Sequence, residues 1–285
     1  MLTIAYLGPE RTNTHVAAQT RFGSRVRYVH APTIDHVFYL VERRKANYGV
    51  VPVENSLEGS VAHTLDRFVD FIDTPVKIQG EIERPIGHWL IVHKGVKLQD
   101  VQSVLSHPQA LAQCRHWLDR NLRHADRIET NSTSEAVNVL LRGRPLPRSD
   151  GRAVEPLRYA AIARADLVRT KRLRAITIPE ERENKTRFLI IGLGEPKPGR
   201  RSKTSILFAV KDKPGALHDA LLAFKRERIN MTKIESRPSK RKAWEYLFFV
   251  DIEGRESDAG VKRALAALKR STALLRVLGS YPVAG

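Results

Sequence analysis

Residues 203–285 set out six elements in an order that few architectures accommodate. TSILFAVK alternates, with Ile206, Phe208 and Val210 on one face, and is followed by Leu217, Ala220, Leu221 and Phe224 at helical spacing. INMTKIESRP and WEYLFFVDIEG read as two strands, Val261, Leu265 and Leu268 as a second amphipathic helix, and ALLRVLGSY as a closing strand. Strand, helix, strand, strand, helix, strand is the ferredoxin-like split unit, in which both helices cover one face of a four-stranded sheet. Just upstream, GLGEPKPGRRSK is rich in Gly, Pro and charge and offers little to pack. Residues 193–202 are therefore expected to link a domain at 1–192 to one at 203–285.

The first 192 residues alternate short apolar strands (LTIAYLG, YGVVPV, WLIVH, VQSVLS, YAAIA, RFLIIG) with helical patterns, which predicts an α/β domain. No internal repeat interrupts them. RGRPLPRSDGRAVEP at 142–156 is polar and proline-bearing, and is expected to be a surface loop.

A chain of 285 residues, 42% of them hydrophobic, can bury a sizeable core, so disordered and fibrous classes are excluded. The single cysteine, Cys114, has no disulfide partner, and MLTIAYLGPE lacks the basic and then long apolar pattern of a secretory signal; a cytoplasmic protein is expected. No apolar run is long enough for a membrane-spanning helix. The formal charge of +18 raises nucleic acid as a partner, but the distribution speaks against it. From Lys203 onward there are 17 basic and 9 acidic residues, leaving 32 and 22 before it, so the excess is spread along the chain. The one basic cluster beside an aromatic, RPSKRKAW at 237–244, lies between two strand-like runs and reads as a solvated hairpin tip. A spread positive field also draws in small polyanions.

The stretch GVVPVENSLEGSVAHTLD, residues 49–66, places an acid, an amide and a hydroxyl directly after a buried strand. The carboxyl ends of strands are where open α/β sheets hold their ligands, so Glu54, Asn55 and Ser56 are site candidates. The competing reading is that Asn55, Ser56 or Ser60 caps the helix carrying Val61, Leu65 and Phe68. Gly192-Leu193-Gly194 follows a strand, but Glu195-Pro196-Lys197-Pro198 cannot open the helix that a dinucleotide loop requires. His107, Cys114 and His116 are close in sequence, yet Leu111, Cys114 and Leu118 form one apolar helical face, so Cys114 is expected in the core and no metal site is expected.

Taken in order, YLGPE with THVAA, VVPVENSLEGSV, SHPQALAQC, STSEA, YAAIA and ENKTRFLIIG resemble prephenate dehydratase over nearly the full length of the chain. DKPGAL, INMTKIESRP and WEYLFFVDIEG are similar to the regulatory ACT domain of that family. The resemblance implies a two-lobed, periplasmic-binding-protein-like catalytic region with its site in the cleft, followed by a ferredoxin-like βαββαβ ACT domain that senses phenylalanine. The implied reaction is the decarboxylating dehydration of prephenate to phenylpyruvate. The gain of aromaticity drives it, so neither a metal nor a redox cofactor is expected. What the protein must supply is a hydrogen-bond donor at the departing hydroxyl, orientation of the ring and anchors for the pyruvyl carboxylate.

The resemblance gives the catalytic role to Thr186, which precedes the strand FLIIG. It assigns Arg187 to a carboxylate in bidentate fashion, Phe188 to packing beside the ring, and Glu54, Asn55, Ser56 and Gln109 to the site or its surroundings. Thr12 and Thr14 are implied substrate contacts, but their motif departs from the family pattern. Gly8-Pro9-Glu10-Arg11-Thr12-Asn13-Thr14 has arginine where glycine is usual and asparagine where an aromatic is usual. If that position needs a positive φ, arginine costs about 1 to 2 kcal/mol there, unless the loop takes another shape. Arg11 is also a candidate second anion contact.

In the C-terminal domain, Gly215, Ala216 and Leu217 at a helix start and Glu235, Ser236, Arg237 and Pro238 at a strand end match the family's phenylalanine-binding motifs. From the residues alone they read as a helix entry and a hairpin turn. Sheet edges that pair with another copy lead to an expected homodimer or homotetramer. Two other functions remain open on the sequence: the same chemistry on arogenate, and a non-catalytic amino-acid-sensing binding protein.

Overall fold

The structure is a computed structural model that describes the chain apart from residues 71–73, 148–152, 169, 171, 180–183, 198, 212, 240–245 and 285. Most of the expected basic hairpin tip and the middle of the expected surface loop at 142–156 lie outside the described residues.

Five strands and three helices come first: β1 (Thr3–Leu7), α1 (Asn13–Phe22), β2 (Arg27–Ala31), α2 (Ile34–Glu42), β3 (Tyr48–Asn55), β4 (Gly59–Ser60), α3 (Ala62–Asp70) and β5 (Val76–Pro85). Thr12 and Thr33 start α1 and α2 as side-chain caps, each accepting from the backbone N–H three residues on. The chain then builds β6 (Trp89–His93), β7 (Ser103–Ser106), α4 (Pro108–Gln113), α5 (Arg115–Asn121), β8 (Asp126–Glu129), α6 (Thr133–Arg142), β9 (Leu146–Pro147), β10 (Ala153–Val154), β11 (Tyr159–Ala163) and β12 (Leu173–Thr177). In STSEA, Ser132 caps α6 by accepting from Glu135 N at 3.0 Å, and the Glu135 carboxylate accepts from Asn131 N at 3.0 Å. Last come β13 (Lys185–Leu193), β14 (Ser202–Val210), α7 (Ala216–Arg226), β15 (Met231–Pro238), β16 (Tyr246–Glu253), α8 (Ala259–Ser271) and β17 (Thr272–Pro282).

These elements form two compact units, residues 1–84 with 185–285, and residues 85–184. In the second unit the sheet order is β12-β6-β11-β7-β8. Tyr159–Ala163 is buried along its whole length because helices and loops cover both faces. Leu111, Cys114 and Leu118 pack together in one of its cores, as the helical spacing predicts.

The first unit holds two sheets. One has the order β2-β1-β3-β13-β5, with β1 parallel to β2 and β3, and β13 antiparallel to β3. The other has the order β15-β16-β14-β17, the ferredoxin-like arrangement expected from the element order. Its two faces are both buried. Ile206, Phe208, Val250 and Ile252 pack under α7 and α8, while Leu207, Ala209, Leu247 and Phe249 share a core with Phe38, Phe68, Val76 and Ile78. The alternation that aimed Ile206 and Phe208 at the helices thus left a second apolar face, and the N-terminal sheet and its helices cover it.

Candidate functional site

Glu54, Asn55, Thr186, Arg187 and Phe188 lie where β3 and β13 run side by side, and Ser56 directly follows β3. Thr186 is opposite Asn55 and Arg187 opposite Glu54, but the next pair is Phe188 with Pro52, so Val53 is an extra residue on β3. A bulge of this kind re-aims the side chains that follow it. Val51 and Val53 pack in the core shared with the C-terminal sheet. Strict alternation would turn Glu54 to the other face. Instead its carboxylate accepts from Lys233 Nζ on β15 at 2.9 Å and pairs with Arg187 Nη2 at 3.0 Å. The bulge therefore aims Glu54 at the C-terminal sheet, the side that Arg187 already faces by alternation with Leu189 and Ile191. By alternation Asn55 and Thr186 take the opposite face, where Phe188 and Ile190 pack with Tyr6, Ala17 and Ala18.

On that face the Asn55 Nδ2 donates to Thr186 Oγ1 at 3.0 Å. The Asn55 Oδ1 accepts from Leu57 N at 2.9 Å and Glu58 N at 3.2 Å. Two backbone donors on the oxygen fix the amide's orientation, so the NH2 group must face Thr186. Because Thr186 Oγ1 accepts from Asn55, its own proton points away from Asn55 as a donor. Ser56 ties the turn to β13 twice: its N–H donates to Lys185 O at 2.8 Å, and its Oγ accepts from Lys185 N at 2.9 Å. The helix α3 is preceded by Val61, so Asn55, Ser56 and Ser60 do not sit at its N-cap. Asn55 caps the turn at 55–58 through its Oδ1 and holds Thr186 through its Nδ2.

On the other face Arg187, only 8% exposed, meets three carboxylates. Its Nη1 lies 2.7 Å from Asp251 and 3.2 Å from Glu81, and its Nη2 reaches Glu54. Lys203 closes on Glu81 at 3.0 Å, and Ser205, hydrogen-bonded to Asp251, shares a 2.7 Å contact with the Tyr281 hydroxyl. Burial alone would lower the Arg187 pKa; Asp251 leads the opposing charges and holds it raised. Burial, then Asp251 and Glu81, push the Tyr281 phenol well above its ordinary value. Arg187, expected as a substrate anchor, has its guanidinium engaged by these protein carboxylates. Phe188, expected beside a substrate ring, is 1% exposed inside an apolar core. A recess of about 320 Å3 opens beside this cluster, lined by Ser56, Glu83, Lys185, Lys203 and Thr232 among others.

Thr12 donates to Leu7 O at 3.1 Å and accepts from His15 N at 3.3 Å; Thr14 is buried within α1. Arg11 has φ 67, so this loop does take the positive φ that a glycine would accommodate without strain. Its N–H donates to His15 Nδ1 at 2.9 Å, and His15 stacks on Tyr6 at 4.3 Å. Burial and then Glu10 push the Tyr6 phenol up to about 12. Gln109 is exposed in the first turn of α4, in the second unit. In the C-terminal sheet, Gly215 starts α7 with φ 77, Ala216 is buried, and Leu217 packs on the helix-side core. Glu235 accepts from Ser60 Oγ at 3.0 Å, and Arg237 pairs with Asp66 at 2.9 Å, while Ser236 and Pro238 are exposed. Asp251, Glu81, Lys203 and Lys233 escaped the sequence reading. An acid inside the apolar run LFFVDIE was the available signal, because a buried charge needs a partner. Among the described residues no group of three or more His, Cys, Asp and Glu is placed to hold a metal.

A family model for prephenate dehydratase matches residues 4–196, and one for the ACT domain matches residues 204–270. A bifunctional chorismate mutase/prephenate dehydratase of Aquifex aeolicus is 46% identical over 285 residues, covering 99% of this chain and 74% of the relative. A prephenate dehydratase of Mycobacterium marinum is 33% identical, covering 99% of this chain and 89% of the relative. Among solved structures, a prephenate dehydratase from Arthrobacter aurescens in complex with L-Phe superposes with a TM-score of 0.83 at 30% identity, covering 98% of this chain and 89% of that one.

Proposed function

The chain belongs to the prephenate dehydratase family and carries a C-terminal ACT domain, and we propose that Thr186 supplies the hydrogen bond with which the ring hydroxyl of prephenate departs. In that reaction the ring carboxylate leaves as carbon dioxide, its bonding electrons move through the ring diene, and the hydroxyl leaves as water with a proton taken up from solvent. Hydroxide is a poor leaving group, so a donor placed at that oxygen lowers the barrier. A threonine hydroxyl is a weak acid and acts by donating a hydrogen bond rather than by releasing a free proton. The observation that carries this reading is the Asn55 amide, locked by its own turn, donating to Thr186 Oγ1 and leaving the hydroxyl proton directed outward. One positioned donor of this kind is worth on the order of 10² to 10³ in rate.

Ser56 holds the turn in register with β13, and Glu54 and Arg187 hold the two strands from behind. Substrate contacts from Gln109, Thr12 and Thr14 rest on the family resemblance. L-phenylalanine is the allosteric effector in this reading, held by Gly215, Ala216 and Leu217 with Glu235, Ser236, Arg237 and Pro238. The reading includes a cytoplasmic homodimer or homotetramer, supported by the position of β15 at the edge of its sheet. The test is phenylpyruvate formation followed spectrophotometrically with prephenate and, in parallel, arogenate. Turnover of prephenate is expected; turnover of arogenate alone would move the substrate, and turnover of neither would leave a binding protein.

A further inference from the structure

Among the described residues, three that are not glycine have a left-handed backbone: Arg11, Arg44 and Arg228, with φ of 67, 56 and 55. Arg44 and Arg228 close α2 and α7, where the residue just past a helix often takes this conformation. Their N–H groups donate to Val41 O at 3.0 Å and Lys225 O at 3.1 Å. Arg11 stands ahead of α1 and has no helix end to close, so its conformation needs another cause. Its N–H donates to His15 Nδ1 at 2.9 Å, and His15 is fixed by burial and by its stack on Tyr6. A strained residue held by a buried partner is characteristic of functional loops. The loop is also in the right place. β1 and β3 run parallel with Tyr6 opposite Val50, so the chain after Leu7 leaves the sheet at the same end as Asn55 and Thr186. Tyr6 packs in one core with Phe188 and Ile190, which puts the loop on the Thr186 side of that sheet. The Arg11 side chain is exposed and, among the described residues, meets no acceptor.

We propose that the Arg11 guanidinium binds the pyruvyl carboxylate of prephenate, and that His15 is a positioning residue that presents it by fixing the Arg11 backbone. The proposal rests on the reading above, in which prephenate is turned over at Thr186. Prephenate carries two carboxylates, and a guanidinium suits either of them. Arg187, next to Thr186 in the chain, faces the other way and is committed to Glu54, Glu81 and Asp251. Lys233 and Lys203 pair with Glu54 and Glu81 on that same far side. Arg11 brings an uncommitted guanidinium to the Thr186 side. The chemistry decides between the two carboxylates. The ring carboxylate loses its charge as carbon dioxide departs, so a guanidinium paired with it would stabilise the bound substrate more than the transition state and slow the step. The pyruvyl carboxylate keeps its charge throughout, so pairing with it tightens binding without raising the barrier. Glycine at position 11 would take the same φ without strain, but it would bring no charge.

The test uses the full chain with Arg11→Gln, which keeps the backbone strain and removes the charge, and Arg11→Lys, which keeps the charge. Arg11→Gln is expected to raise the KM for prephenate about tenfold with kcat within about twofold, the mark of lost uniform binding. Inhibition by phenylpyruvate, which retains the pyruvyl carboxylate and lacks the ring one, should weaken by about the same factor. Arg11→Lys should bring KM back to within about threefold of wild type, and KM should rise less steeply with added salt in Arg11→Gln than in wild type. His15→Phe keeps a ring on Tyr6 and removes the acceptor of the Arg11 N–H; it should raise KM in the wild-type background and leave that of Arg11→Gln unchanged. A merely structural role for the loop would move Tm and kcat, with neither rescue by lysine nor a change in salt dependence. If wild type turns over prephenate and Arg11→Gln leaves either KM or phenylpyruvate inhibition unchanged, the proposal fails and the function stands. If wild type does not turn over prephenate, the proposal falls together with its premise. Should Arg11→Gln not fold, Arg11→Gly decides, because glycine accepts a φ of 67 without strain: the same rise in KM at an equal or higher Tm supports the contact, and an unchanged KM overturns it.

Discussion

Replacing Asn55 by Asp keeps the Oδ1 on which Leu57 and Glu58 N–H converge and removes the Nδ2 that donates to Thr186. The turn survives, but the new carboxylate oxygen becomes an acceptor that captures the Thr186 proton. Asn55→Asp should therefore change stability by less than about 1 kcal/mol while lowering kcat by about 10²; melting temperature and steady-state rates on the same preparation separate the two effects. Equal losses in both would mean that the amide only supports the turn. Arg11 offers a second separation. Its φ of 67 costs an arginine about 1 to 2 kcal/mol, and the extra chain entropy of glycine takes back about 0.5 to 1. Arg11→Gly should thus stabilise by roughly 0.5 to 1 kcal/mol, read as a rise in Tm of about 2 °C. An unchanged or lower Tm would show that the arginine side chain makes contacts that offset its backbone conformation. The departure at Arg11 was visible in the sequence, and so was its conditional cost, but only the dihedral angle says which condition holds.

At the scale of elements, β3 and β13 were legible as apolar runs, whereas their bulge was not. A register shift depends on which residues face each other across the ladder, and GVVPVENS carries no mark of the extra Val53. Since that shift decides which way Glu54 points, the sequence reading grouped Glu54, Asn55 and Ser56 as one site, and the structure divides them between two faces. The charged cluster behind β13 was hidden for a related reason: Arg187 finds Asp251 at a separation of 64 residues and Glu81 at 106. Removing one member of such a buried set leaves an uncompensated charge, which typically costs about 3 to 5 kcal/mol. Asp251→Asn should shift the urea midpoint by a corresponding amount. A change under about 1 kcal/mol would mean that the Arg187–Asp251 contact is neutral in the fold.

The molecule as a whole is assembled from both ends of the chain, with residues 1–84 and 185–285 in one compact unit. The Gly- and Pro-rich stretch between β13 and β14 suggested a boundary in sequence, yet the packing runs across it through Phe68, Val76, Leu207 and Phe249. The cue lay in TSILFAVK, whose apolar residues occupy both faces and therefore demand cover on both. Tyr281, fully buried in this shared core, is expected to make the fold sensitive to alkali. Its folded pKa is raised, chiefly by burial, above the 10.0 of an exposed phenol. Its contribution is complete below pH about 10, where the unfolded chain also holds the proton, and is lost as pH rises toward the folded value. Tyr281→Phe should flatten the fall in Tm above pH about 10; an identical slope in both proteins would remove Tyr281 from the alkaline transition. The Thr186 hydroxyl, held by Asn55, is proposed to assist the departure of the ring hydroxyl of prephenate. Its most direct test is the kcat of phenylpyruvate formation by Thr186→Ala. A fall of about 10² to 10⁴ with a much smaller change in KM is expected, and a variant that turns over prephenate at nearly the wild-type rate would contradict this role for Thr186.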